Sequence, residues 1–192
     1  MDIVEIIKDA VIFPSTDFKK VIFLGIFPAI AAIITLLIVY FSFSSGNYTT
    51  MSLAGTISLI ITLLADIFVT GYVFRTIQAT IAGSDELPEF EDWFDLIIDG
   101  IKVYIVEIIY LIIPLLVIFI GGGASLFVGS FGAFGIIAII GVILAIIFEI
   151  IAAIAIAYMA YNAGELGTAF RFSEVMERIY TIGWGNYIIW II

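Results

Sequence analysis

Hydrophobic positions in this chain come in long unbroken runs, not in alternation. Four runs, Val21–Phe43, Leu53–Phe74, Val103–Ile120 and Ile136–Ala160, each approach the roughly 20 residues that carry an α-helix across ~30 Å of hydrocarbon. Strands of a membrane barrel would alternate polar and apolar residues over segments of about ten, and that period is absent. Lipid offers no partner to a free N–H or C=O, so helices are the remaining way to span. A fifth run opens at Trp184 and stops at Ile192. It is too short to cross, and the expectation is the start of a fifth span, truncated here.

The polar segments between the runs read as interfacial pieces. Asp2, Glu5, Lys8 and Asp9 recur at helical spacing among Ile3, Val4, Ile6 and Ile7, which predicts an amphipathic helix over 1–13 lying on the membrane surface. Pro14 ends it, and Ser15-Thr16-Asp17 supplies N-cap chemistry for the first span. The stretch 84–99 carries seven acids, with Asp92, Asp95, Asp99 and Lys102 on one helical face. It predicts a second interfacial helix anchored by Trp93, and 165–180 predicts a third. The expected fold class is therefore all-α: a polytopic membrane helical bundle, residues 1–192 forming a single membrane domain with interfacial amphipathic helices.

Charge adds an orientation. All seven Lys and Arg fall in connections on one side of the bundle, while Ser44–Ser52 and Gly121–Gly135 carry no charged residue. The positive-inside rule then puts the N-terminus in the cytoplasm of a multi-pass cell-membrane protein. The net charge of −10 makes the cytoplasmic face acidic, so no polybasic lipid patch is expected there. Hydrophobic residues make up 64% of the chain and charged residues 12%, with a mean hydropathy of +1.27. A soluble domain of this size could not cover that much apolar side chain, and a nucleic-acid binder needs the opposite charge. With no cysteine and no histidine, disulfides, thiolate nucleophiles, Ser-His-Asp chemistry and the usual zinc or haem sites are excluded.

Several connecting motifs occur together: P-S-T-D-F-K-K (Pro14–Lys20), G-Y-V-F-R-T-I-Q (Gly71–Gln78), E-L-P-E-F-E-D-W (Glu86–Trp93), D-G-I-K (Asp99–Lys102), A-F-R-F-S-E-V (Ala169–Val175) and I-G-W-G (Ile182–Gly185). As a set they resemble an uncharacterised, mainly archaeal family of multi-pass membrane proteins, domain-of-unknown-function family 4013. The resemblance covers nearly the whole chain. It implies topology, and it implies further apolar sequence beyond Ile192, but it carries over no catalytic residue.

Chemistry inside the spans rests on three acids, Asp66, Glu107 and Glu149. Each costs several kcal/mol in hydrocarbon, of order 2–4, and so needs a reason. Asp66 shares a stripe with Gly55, Ser58, Thr62 and Ala65, with Thr70 at its edge. Glu149 lies with Ala138, Ala145, Ala152 and Ala153, and Glu107 with Gly100, Tyr104, Tyr110 and Pro114. Small and polar stripes are where membrane helices pack, so all three acids are expected to point into the bundle. Arg75 is the expected ion-pair partner of Glu107, and Ser58, Thr62 and Thr70 are the expected hydrogen-bond partners of Asp66. On the first span, Gly25, Ala29 and Ala32 mark a packing face, and Pro28 and Pro114 predict kinks. The glycine-rich stretch Gly121–Gly135 reads as a flexible outer turn or a short re-entrant piece; without a following Lys-Ser/Thr it is no phosphate loop. Asn47-Tyr48-Thr49 matches the glycosylation sequon.

No nucleophile–base set, metal cluster, cofactor motif or nucleotide motif emerges, so a non-enzymatic role is expected. The leading expectation is a membrane subunit or scaffold embedded in the lipid bilayer, with protein partners or further copies of itself. The alternative is a small transporter or channel component in which Asp66 and Glu149 handle protons, cations or a small solute. The orientation has a direct check. Cysteines at positions 45 and 125 should label from outside the cell and those at 84 and 173 only from inside; the reverse for 45 and 84 overturns it.

Overall fold

The computed structural model of the protein describes residues 17–84 and 86–191, with the side chains of 189–191 left aside. The interfacial helix expected at 1–13 lies outside these residues. Among the described residues every regular element is helical: α1 Phe18–Ser44, α2 Tyr48–Ile81, α3 Trp93–Leu116, α4 Gly123–Phe127, α5 Phe131–Tyr161, α6 Phe172–Ile182 and α7 Trp184–Ile191. A π-helical turn, Val117–Gly122, joins α3 to α4, and a 3-10 turn, Leu166–Phe170, precedes α6. Four helical stretches are long and apolar enough to cross a membrane: Phe18–Ser44, Tyr48–Ile81, Trp93–Phe127 and Phe131–Tyr161. They contain the four expected spans and extend beyond them. The chain divides into two compact units, Met1–Ile101 and Lys102–Ile192.

In the first unit, side-chain caps start the helices. Asp17 accepts from the Lys20 amide at 3.3 Å and Asn47 Oδ1 accepts from the Thr49 amide at 2.9 Å, satisfying N–H groups that have no partner within the helix. The Asn47 of the sequon is thus a helix cap. Between α1 and α2 the chain reverses in three residues, with Gly46 at φ +62°. The helices then pack through small side chains, among them Ala31 on α1 and Ala54, Ser58 and Ala65 on α2, all buried. Gly25, Ala29 and Ala32, the face expected to pack, are exposed; Ala31, about 120° round the helix from them, is buried instead.

In this unit α2 and α3 approach each other closely at two glycines. A Cβ on Gly71 would run into the backbone carbonyl oxygen of Leu96, and one on Gly100 into that of Ile67. Each glycine thus receives the other helix's backbone, the arrangement that small residues permit in membrane bundles. The helix expected over 84–99 is absent as such: residues 86–92 are non-helical, and Trp93–Asp99 forms the first two turns of α3.

The second unit uses glycine in another way. Pro114 lacks the N–H that would bind the Tyr110 carbonyl, and within a turn of it the helix widens into the π segment. There Gly121 faces Ile137 and Gly122 faces the Phe134 ring, while Gly141 on α5 receives the Ile118 side chain. Gly121 and Gly122 consequently belong to a helix–helix seam, while Gly123, Gly129, Gly132 and Gly135 meet open space. Only residues 128–130 leave the helix, with Gly129 at φ +72° making the turn. Ser125 is buried and donates to the Gly121 carbonyl at 2.8 Å, so position 130 reports the accessibility of this turn better than 125 does. Further along α5, Ala152, Ala155 and Met159 are fully buried. Tyr110 donates to the Ala169 carbonyl at 2.8 Å, and Tyr187 on α7 donates to the Ile150 carbonyl at 2.6 Å. The amphipathic piece expected at 165–180 is present as the 3-10 turn and α6, whose Val175 and Ile179 are buried.

The glycine crossing predicts a sharp contrast. Gly71→Ala or Gly100→Ala should each cost about 1–3 kcal/mol, because the obstructing atoms are backbone and cannot rotate away. Gly55→Ala, which meets open space, should be neutral or gain roughly 0.5–1 kcal/mol from helix propensity. Thermal unfolding in mild detergent reads both.

Candidate functional site

The most elaborate polar construction in the first unit lies where the α2–α3 connection folds back over the ends of α1 and α2. Lys20, one turn into α1, donates from Nζ to the Leu87 carbonyl at 2.8 Å and to Glu89 Oε1 at 2.7 Å, with Asp17 Oδ2 3.6 Å away. Tyr72 donates its hydroxyl to the Pro88 carbonyl at 3.0 Å. Arg75, one turn past Gly71, spreads its guanidinium over three acceptors: Asp99 Oδ2 at 3.2 Å, the Glu91 carbonyl at 2.8 Å and the Asp92 carbonyl at 3.4 Å. Both side chains of the Arg75–Asp99 pair are less than one-fifth exposed, so water screens it less than a surface pair.

Aromatic rings fill the space beneath the connection. Phe90 stacks on Tyr72 with centroids 4.4 Å apart, Phe27 stacks on Phe68 at 4.4 Å, and Trp93 sits 5.2 Å from Phe68. Such pairs contribute about 0.5–1.5 kcal/mol each beyond their buried area. Leu87 and Leu96 are buried beside them. The result is a pinned connection whose Glu86, Glu91, Asp92 and Asp95 remain exposed as an acidic rim. Nothing in this arrangement activates a nucleophile; it presents negative charge on a rigid support. Among the described residues, no three acids converge to hold a metal ion.

The intramembrane acids are placed differently from expectation. Asp66 and Glu149 are exposed, and Glu107 is half-buried. On α2 the buried stripe runs through Ala54, Ser58, Ala65, Phe68 and Tyr72. At about 100° per residue, Asp66 stands roughly 120° from the Ala54–Tyr72 line. On α5 the stripe through Gly141, Ala152 and Met159 leaves Glu149 about 80° aside. The stripes read from sequence were too wide. Ser58 is buried and its hydroxyl has no hydrogen-bond partner among the described residues, so it does not serve Asp66; Thr62 is exposed and Thr70 half-buried. Arg75 is engaged by Asp99, because α3 begins early enough to bring its own first turns to Arg75. Tyr104 is half-buried, and Tyr110 serves the Ala169 carbonyl.

A family model described as a protein of unknown function, DUF4013, matches residues 54–192, well over half of the chain. The chain belongs to the DUF4013 family. No curated protein and no solved structure matches it. The DUF4013 segment contains Tyr72, Arg75, the connection up to Trp93, and Asp99, whereas Lys20 lies before it.

Two arrangements were not anticipated from sequence. One is the clamp of Lys20 and Arg75 on backbone carbonyls, for which the acids clustered beside two basic residues were the available signal. The other lies in the second unit, where the Tyr158 hydroxyl donates to Glu174, Arg171 Nη1 lies 3.6 Å from the same carboxylate, and Arg178 sits 5.7 Å over the Tyr158 ring. Replacing Arg75 with Gln should release the connection. Charged hydrogen bonds of this kind are worth about 1.5–3 kcal/mol, so cleavage at Glu89 and Glu91 by a glutamate-specific protease should accelerate roughly tenfold or more. An unchanged cleavage rate would show that the aromatic rings alone hold it.

Proposed function

We propose that this DUF4013 protein is a non-enzymatic membrane subunit or scaffold of an archaeal cell membrane. It binds partner proteins or further copies of itself through intramembrane faces and through the acidic rim, which the positive-inside argument puts in the cytoplasm. The observation that carries this reading is Glu149. It lies near the middle of α5, a 31-residue helix whose most apolar 18-residue stretch has a mean hydropathy of 3.0, and it is exposed. An acid at the centre of a span costs about 2.5–3.5 kcal/mol on insertion scales, and a covering helix that hydrogen-bonds the carboxyl offsets that cost. The open face of Gly25, Ala29 and Ala32 on α1 supports the same reading, since small residues are the usual ground for helix association in lipid.

The test is the mass of the purified particle in mild detergent. Wild type should run as a complex larger than one chain; Glu149→Gln, which keeps hydrogen-bonding capacity, should retain it. Glu149→Leu should fall toward the monomer with its thermal unfolding unchanged. A strictly monomeric wild type with nothing copurifying would refute the proposal. A pH-dependent flux in reconstituted vesicles, abolished by Asp66→Asn with Glu149→Gln while assembly persists, would favour transport instead.

A further inference from the structure

Two adjoining cavities at the end of α5 share Tyr158 and Arg178 as their common wall. The first, of about 250 Å³, is completed by Ile154, Ala157 and Tyr161, all from the last two turns of this membrane-length helix. The second, of about 300 Å³, is completed by Glu174, Glu177 and Thr181 on α6. One side of the shared wall is thus apolar and belongs to a span, while the other is polar and belongs to an amphipathic helix. Tyr161 and Tyr180 are exposed nearby at 65% and 67%, residues of the type that collects at the headgroup level.

The charges in the polar cavity are not equally committed. Glu174 already accepts from Tyr158 and lies beside Arg171. The guanidinium of Arg178 rests over the Tyr158 ring, and no hydrogen bond or ion pair takes up its N–H groups among the described residues. The Glu177 carboxylate is likewise exposed, and only its backbone carbonyl is engaged, by Thr181. One positive and one negative group therefore remain to face a ligand, next to an apolar trough at the end of a helix long enough to cross a membrane.

We infer that this is a binding site for a phospholipid whose headgroup carries both a phosphate and an amine, the phosphate on Arg178, the ammonium on Glu177 and the first part of a hydrocarbon chain along Ile154 and Ala157. Arginine matches phosphate with several N–H donors at once, and a carboxylate beside that arginine complements the cationic half of a zwitterionic headgroup. A cavity near 300 Å³ is at the small end for ligand sites, suited to a headgroup and little more. The site stands independently of whether the protein is a scaffold or a transporter.

Native mass spectrometry of the full chain, released from detergent doped with equal amounts of phosphatidylethanolamine and phosphatidylglycerol, tests it. Wild type should retain phosphatidylethanolamine in preference to phosphatidylglycerol. Arg178→Gln should lower retention of both roughly tenfold. Glu177→Gln should remove or invert the preference while leaving total retention similar, an effect that a folding defect would not produce. Equal retention of the two lipids by wild type, or a preference unchanged in Glu177→Gln, overturns the inference. Displacement of the lipid by soluble phosphoethanolamine at matching concentration also overturns it, assigning the site to a soluble ligand.

Discussion

The contact of α2 and α3 backbones at Gly71 and Gly100 governs how the rest of the first unit is assembled. Arg75 lies one turn beyond Gly71, and Asp99 immediately precedes Gly100. Once the two glycines meet, the guanidinium and the carboxylate are brought side by side with little freedom to miss. The same register sets the Trp93 end of α3 against Phe68 and turns the connection back so that Phe90 covers Tyr72. A bulkier side chain at the crossing would push the helices apart and disturb the ion pair, the ring stack and the clamp together.

Much of this architecture was legible in the chain because lipid is a restrictive solvent. Runs such as Leu53–Phe74 and Ile136–Ala160 can satisfy their backbones in hydrocarbon only as helices, so the four long helices followed from hydropathy alone. What could not be read was rotation and register. A stripe of alanines and hydroxyls on a helix spans too wide an arc to say whether Asp66 or its neighbour Ala65 faces a partner, and the structure gives that place to Ala65. Glycine was ambiguous for a related reason. It serves as turn, breaker or contact point, and its role at Gly100, Gly121 and Gly141 depends on residues far along the chain. The partnership of Tyr158 with Glu174 was invisible for the same cause, since the hydroxyl and the carboxylate come from different helices.

The second unit reaches close packing by a different device. Where the first sets glycine against backbone, the second sets it against large side chains: Ile118 occupies the space at Gly141, and Ile137 and Phe134 lie over Gly121 and Gly122. The π turn after Pro114 shifts the helix register at this seam, so residues on either side of it do not present one continuous face. Interiors built this way have little tolerance for added volume but leave the outer surface free to be apolar throughout, as Phe119, Phe127 and Phe131 are.

The acceptors used by the clamp have a consequence of their own. Lys20 and Arg75 take hold of the carbonyls of Leu87, Glu91 and Asp92, which every amino acid possesses and which no change of pH can neutralise. The fastening is therefore largely indifferent to the side chains it displays. Substitutions at Glu86, Glu91 and Asp95 can alter charge, length or hydrogen-bonding pattern without loosening the support beneath, whereas Asp92, at φ +50°, is confined to residues that tolerate a left-handed backbone. A surface so mounted can diverge quickly among relatives, keeping one chassis and exchanging the lettering it shows.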